Sequence, residues 1–404
     1  MTNYKTRKDS TKGSLSVRRK LKVPRYSNIS RDNQNSRNKR GDIAFDNATS
    51  KLFLNNGREW SPIVNQFNVF PNRLFIFGAS LEDTGNMNIL DMKVAPNAID
   101  AGICEEIGPK GRFSNGFVYT DYLVNALNKK MLNSLASFQT VGQQQCLNYS
   151  IGGAIYDGNV NNEELGLPDL GQNGYVSQVD LFEQDLTKYN LNVSENDVFV
   201  YGSVGGNDLG VIALGLATPA NYIDAHFDNI QRLYARGCRQ LIFIYVDADS
   251  IPNIPAFIKT DLSTSTPITI ADLQNLSNTI NNPLIDLLND AINGGSATMP
   301  NLNLTILPAS DLLNEFISRP SVYGIRKPLE GDVDPRGTSA SLPFPTYCGS
   351  RQGFPEGTRN TTIKGINYLF YDDLHFTDVT NKKISDFVLS HLQNYTNVPQ
   401  ERRF

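Results

Sequence analysis

From Arg73 onward, short apolar runs alternate with longer amphipathic stretches. Leu74–Phe77, Cys146–Ser150, Asp197–Tyr201, Gln240–Val246 and Asn303–Leu307 are rich in β-branched or aromatic residues and read as strands. Phe117–Leu127, Tyr175–Tyr189, Asn221–Arg236, Ala271–Ile292 and Thr377–Tyr395 carry apolar residues at helical spacing and read as helices. Strands alternating with helices imply βαβ crossovers, and so a parallel sheet covered on both faces. The predicted architecture over 73–404 is therefore α/β, with three α/β/α layers around a central five-stranded parallel sheet. The Pro- and Gly-rich stretch 319–365 fits no regular element, and its length marks it as a candidate wall or lid for a pocket.

Before Arg73 the pattern changes twice. Residues 42–72 hold two short β-like runs, Ile43-Ala44-Phe45 and Leu52-Phe53-Leu54, with Asn56-Gly57 as a two-residue hairpin turn. They predict a small β segment and linker. The segment resembles short β elements in structural proteins of phages and large DNA viruses. Residues 1–41 have no apolar period and carry 13 Lys/Arg against two Asp/Glu, a net +11. That leaves 24 basic and 39 acidic residues, or −15, for 42–404, so the overall −4 hides a disordered basic arm on an acidic body. Such an arm is either a solvated tail or a contact for nucleic acid or an anionic surface.

In an open parallel sheet, ligands bind beyond the carboxyl ends of the strands. The first strand is followed by Gly78-Ala79-Ser80-Leu81-Glu82-Asp83-Thr84-Gly85-Asn86, the second by Ile151-Gly152-Gly153-Ala154, and the third by Gly202 to Gly206 and then Asn207-Asp208. Asp372-Asp373-Leu374-His375 lies near the C-terminus. A serine hydroxyl becomes a useful nucleophile only when a base takes its proton. The base needs an orienting carboxylate, and the oxyanion needs fixed donors. Ser80, His375, Asp372 and the Gly153/Asn207 pair can fill those places. Of three histidines, His226 is spaced from Ile223 and Ile230 like a helical surface or boundary residue, and His391 follows Phe387 by four in the last helix. Only His375 falls in a loop beside carboxylates, with Asp373 as a rival partner to Asp372. Taken singly, the glycines could serve tight turns, Asn207 and Asp208 could cap a helix, and Asp83 to Asn86 could shape the turn after Ser80, with Arg112 bracing a loop carboxylate.

Taken together, these segments resemble the GDSL, or SGNH, hydrolases. Residues 77–86, FGASLEDTGN, are similar to that family's first block, F-G-D-S-L-S-D-T-G-N. GRFSNG at 111–116 resembles a segment of its lipase and phospholipase branch. NYSIGGA at 148–154, VGGND at 204–208 and DDLHFTD at 372–378 resemble the later blocks, in family order. The resemblance implies a flavodoxin-like domain in which Ser80 is the nucleophile and His375 the general base. It makes Asp372 the orienting carboxylate, because the family spacing is D-x-x-H, and gives the oxyanion donors as the Ser80 and Gly153 N–H groups and the Asn207 amide. Two positions depart from the pattern: Ala79 replaces an Asp that braces the nucleophile loop, and Phe376 replaces a common Pro.

No G-x-S-x-G elbow, G-x-x-x-x-G-K-[ST] loop, G-x-G-x-x-G fingerprint or H-E-x-x-H pair occurs, and the implied chemistry requires no cofactor or metal. Cys104, Cys146, Cys238 and Cys348 lie far apart and read as free thiols, with room for one disulfide. No apolar run approaches the roughly 18 to 20 residues of a membrane span, and the polar start is unlike a signal peptide, so the expected location is cytoplasmic or virion-associated. The expected activity is hydrolysis of lipid, phospholipid or other acyl esters, with O-acetylated carbohydrate next. The competing expectation is a structural or binding protein that keeps the fold without the reaction. Because every candidate residue lies in the acidic body, deleting residues 1–41 is expected to leave ester hydrolysis unchanged while abolishing any salt-sensitive binding to nucleic acid. Equal binding by the truncated chain would remove the arm from that role.

Overall fold

The computed structural model describes residues 71–94, 111–136, 141–142, 145–158, 174–254, 268–295, 298–323, 369–370 and 374–395, with the strand residues 25–26, 43–46, 51–55, 60–62, 362–363 and 366–367. The chain divides into two units, Met1–Asn68 and Val69–Phe404. The first holds a four-stranded sheet in the order β1 (Arg25–Tyr26), β2 (Ile43–Asp46), β3 (Lys51–Asn55), β4 (Trp60–Pro62). β1 runs parallel to β2, and the other pairs are antiparallel. Asn55 stands opposite Trp60, so residues 56–59 connect β3 to β4 in place of the two-residue turn expected at Asn56-Gly57. Apart from β1, the basic arm lies outside the described residues.

The second unit is built on a wholly parallel sheet of six strands: β5 (Leu74–Phe77), β6 (Lys130–Asn133), β7 (Gln145–Asn148), β8 (Val198–Val204), β9 (Gln240–Tyr245) and β10 (Asn303–Pro308). Their spatial order is β10-β9-β8-β5-β7-β6. Every residue of β5 and β8 is buried, as expected for central strands covered on both faces. Among the described residues the sheet has six strands, where the apolar pattern predicts five. The extra one, β6, is an edge strand of sequence KMLN whose residues stay partly or fully exposed, so it lacks the apolar run that marks a buried strand.

The helices are α1 (Asn86–Val94), α2 (Tyr119–Ala126), α3 (Tyr175–Lys188), α4 (Gly206–Ala213), α5 (Pro219–Ala235), α6 (Ile270–Ile292), α7 (Ala309–Ser318) and α8 (Asp378–Tyr395). α2 packs on α8, while α3, α5 and α6 pack in succession, giving the three-layer α/β/α arrangement. α5 starts two residues before the predicted Asn221, because Thr218 accepts the Asn221 N–H at 3.3 Å and Pro219 occupies the first helical position. A capping box between Thr269 and Asp272 likewise starts α6. The helices α1, α4 and α7 fall outside the helices predicted from the apolar spacing. Among the described residues, no helix is long and apolar enough to cross a membrane.

The core under the site is aromatic. Phe77, at the end of β5, stacks on Tyr149 at 5.2 Å between ring centroids and meets Phe182 edge-on at 5.6 Å. At the opposite end of the strand, Arg73 donates to Asp197 at 2.8 Å in a buried ion pair that joins the starts of β5 and β8. Cys146 and Cys238 are buried free thiols, and the other two cysteines lie outside the described residues. Phe77→Ala is expected to cost about 3–5 kcal/mol of unfolding free energy in denaturant titration. A loss below about 1 kcal/mol would contradict this fully packed position.

Candidate functional site

The chain leaves β5 for one edge of the sheet and leaves β8 for the other, so a switch-point crevice opens at their carboxyl ends. Ser80 follows β5 on a tight turn. Gly78 anchors that turn, exchanging hydrogen bonds with Gln178: its N–H donates to Oε1 and its carbonyl accepts from Nε2, both at 2.9 Å. His375 arrives from far along the chain, and its Nε2 lies 2.8 Å from Ser80 Oγ. Both side chains are buried. The His375 loop is fixed by the bridge between Phe370 and Phe376, whose rings stack at 5.2 Å, and by Thr377 N–H donating to the Leu369 carbonyl. Phe113, within the GRFSNG segment, packs on the imidazole at 5.0 Å. Its ring also lies against Gly152, where a Cβ would sit 2.2 Å away, so the residue there must be glycine. Asp372 and Asp373 lie outside the described residues.

Gly153, after β7, has φ +78°, a conformation that favours glycine. Asn207 lies in the first turn of α4 and donates one amide hydrogen to the Ala154 carbonyl at 2.9 Å. That bond ties the turn after β7 to the turn after β8. Asp83 ties the first turn to the second. Its carboxylate accepts the N–H groups of Gly85, Asn86 and Met87, capping α1, and that of Gly152 at 2.9 Å. Arg112 forms a two-pronged pair with Asp121, which belongs to the first turn of α2 and not to a loop.

Three buried carboxyls surround the site. Burial pushes Glu82 up to about 7, Asp83 up to about 6 and Asp208 up to about 7, against the opposing pull of their hydrogen-bond donors. Asp208 Oδ1 accepts the Tyr156 N–H at 2.8 Å, while Oδ2 is buried with no partner among the described residues. Sequence reasoning passed over Glu82, because a glutamate in a turn reads as solvated, and passed over Phe113 as a neighbour of His375. His226 also differs from expectation. It is fully buried, with Nδ1 2.8 Å from the Tyr201 hydroxyl and rings of Tyr175 and Tyr222 around it, and burial lowers its pKa to about 3. Its face of α5 is turned inward because α5 is covered by both α3 and α6. His391 is held by its Nδ1 at 3.0 Å from the Phe387 carbonyl.

A parallel α/β/α sheet with a serine and a histidine in contact at its switch point defines the general class. Comparison with known proteins gives the family. The family model described as GDSL-like Lipase/Acylhydrolase matches residues 74–388, and the chain belongs to that family. It is 24% identical over 372 residues to GDSL esterase/lipase 7 of Arabidopsis thaliana, covering 85% of this chain and 93% of that protein. It is 26% identical to GDSL esterase/lipase At5g45670 of the same plant, over 76% of this chain and 84% of that one. Acetylajmalan esterase 2 of Rauvolfia serpentina is 27% identical over 42% of this chain and 49% of its own. The family and these relatives support a hydrolase of ester substrates.

Asp208 illustrates how the buried carboxyls bear on stability. In the folded chain it keeps its proton up to about pH 7, whereas in the unfolded chain it releases it near 4. The folded state therefore binds more protons across that window, and the contribution of Asp208 to stability is lost as pH rises from about 4 to 7, by roughly 4 kcal/mol. Asp208→Asn is expected to flatten the fall in thermal midpoint between pH 5 and 8. An unchanged pH dependence in the variant would contradict it.

Proposed function

We propose that the protein hydrolyses acyl esters through Ser80, His375 and Asp372. The observation that carries this reading is the 2.8 Å contact between His375 Nε2 and Ser80 Oγ, buried at the switch point of the sheet. His375 takes the Ser80 proton as Oγ attacks the ester carbonyl, and Asp372 orients the imidazole and stabilises its charged form. The N–H groups of Ser80 and Gly153 and the second amide hydrogen of Asn207 receive the oxyanion. Collapse expels the alcohol, which takes the proton from His375. Water then gives its proton to His375 and attacks the acyl-enzyme, releasing the carboxylic acid and restoring Ser80.

The preferred substrates are lipid or phospholipid esters, by resemblance of GRFSNG to the lipase and phospholipase branch, with O-acetylated carbohydrate second. The basic arm serves as a tether or packaging signal in the cytoplasm or a virion. Ala79 is the one substitution that favours a fold kept without the reaction. Glu82 supplies a carboxylate to the Ala79 N–H at 3.2 Å, which argues for a braced turn all the same.

In a screen of short- and long-chain p-nitrophenyl esters, Ser80→Ala and His375→Ala are each expected to lower kcat by about three orders of magnitude or more. Asp372→Asn is expected to approach that loss, whereas Asp373→Asn stays within a few-fold of wild type. Hydrolysis that survives in Ser80→Ala would overturn the assignment of the nucleophile.

A further inference from the structure

Glu82 is an acidic residue buried beside the turn that carries Ser80. Both carboxylate oxygens are engaged: Oε2 accepts the Ala79 N–H at 3.2 Å and the Ser203 hydroxyl at 2.6 Å, and Oε1 accepts the Tyr119 hydroxyl at 3.0 Å. Its backbone carbonyl accepts from Asn148 Nδ2 at 2.7 Å and from the Thr120 hydroxyl at 3.0 Å. The surroundings are shaped to admit it. A Cβ at Gly78 would lie 2.5 Å from one Glu82 carboxylate oxygen, and a Cβ at Gly202 would lie 2.4 Å from the other. Ser203 is a non-glycine residue at φ +56°, at the irregularity between Tyr201 and Val204 where β8 breaks register with β9. Strained backbone of this kind persists only where neighbours hold it, and the Ser203–Glu82 bond is one such hold.

We propose that Glu82 is a positioning residue of this site: its carboxylate ties the turn that carries Ser80 to the end of β8 that leads into Asn207, and so sets the spacing between nucleophile and oxyanion donor. This rests on the ester-hydrolase reading above. Ala79 immediately precedes Ser80, and Ser203 lies four residues before Asn207, so one side chain spans both arms of the crevice. A carboxylate is the group that can accept from three donors at once. A protonated Glu82 either reverses its bond to the Tyr119 hydroxyl, with the proton on Oε1, or displaces a donor from Oε2, and in both cases the bonds to Ala79 and Ser203 lose the help of the negative charge. The tie is strongest in the ionised form, in which both bonds to Oε2 are charge-assisted. The titratable groups around it are Tyr119 on α2 and Tyr175 on α3, both held by burial well above the ordinary phenol range, and Asp83, next in the chain. Glu82 itself is pushed up to about 7 by burial, so its ionisation falls within the range over which an esterase is assayed. Two groups, His375 and Glu82, must then be unprotonated for full rate.

The test compares wild type, Glu82→Gln and Ser203→Ala in kcat and KM for a p-nitrophenyl ester from pH 5 to 9, and in amide hydrogen exchange over 78–82 and 202–207. Glu82→Gln is expected to lower kcat about 10- to 100-fold with little change in KM. It should also reduce the slope of the acidic limb from about two protons to about one. Exchange should quicken in both segments together. Ser203→Ala keeps the carboxyl and removes the bond to β8; with the tie cut, Glu82 ionisation no longer reaches the rate, so this variant is expected to lose rate and to show the same one-proton limb, which covers the case of a Gln variant that fails to fold. Wild-type rate and slope in Glu82→Gln, or faster exchange confined to one segment, would overturn the proposal. If wild type turns over no ester, the hydrolase reading fails, and the exchange data alone decide whether Glu82 joins the two arms.

Discussion

β5 is hydrogen-bonded to β7 on one side and to β8 on the other, all three running in the same direction. The turns that follow them must therefore emerge side by side at one edge of the sheet, and it is this constraint that gathers Ser80, Gly153 and Asn207 from positions 54 to 127 residues apart. Without the parallel order, no arrangement of those turns would converge. The aromatic core beneath, with Phe77, Tyr149, Phe182 and Phe199 in mutual contact, keeps the strand ends from shifting. His375 is brought to this edge by the segment entering α8, which packs against α2.

Convergence by itself leaves three flexible turns, and the buried polar groups fix them. Asp83 joins the first turn to the second through the Gly152 N–H, Asn207 joins the third to the second through the Ala154 carbonyl, and Glu82 joins the first to the third through Ser203. The three links close a ring around the crevice. Burying carboxylates here is costly, as their raised pKa values register, and the donors that offset the cost are backbone N–H groups of the site and, at Glu82, also the hydroxyls of Ser203 and Tyr119. Stability at neutral pH and rigidity of the site thus pull against each other.

Most of the frame was legible in the sequence because buried parallel strands and long amphipathic helices leave strong patterns. β5, β8 and β9 are near-continuous apolar runs, and α3, α5 and α6 have enough turns to show a period. β6 was missed because its four residues at the sheet edge are half exposed and polar. α1 and α4 were missed because each begins within a glycine-rich turn, and such turns read as loop. Ser80 and His375 stood out because Ser80 follows a strand end and His375 alone of the histidines falls in a loop beside carboxylates, and the block order agrees with both. Glu82 did not, since its burial depends on Tyr119 and Ser203, which lie 37 and 121 residues away. His226 was placed at the boundary of its helix because spacing along α5 does not reveal that both α3 and α6 cover it.

The central claim is that Ser80 is a nucleophile activated by His375. Its most direct measurement is labelling of the folded protein with a fluorophosphonate, followed by mass-spectrometric mapping of the adduct. The account predicts a single phosphonylated peptide containing Ser80, lost in Ser80→Ala and strongly slowed in His375→Ala. A folded protein that takes no label, or an adduct mapped to another residue, would contradict it.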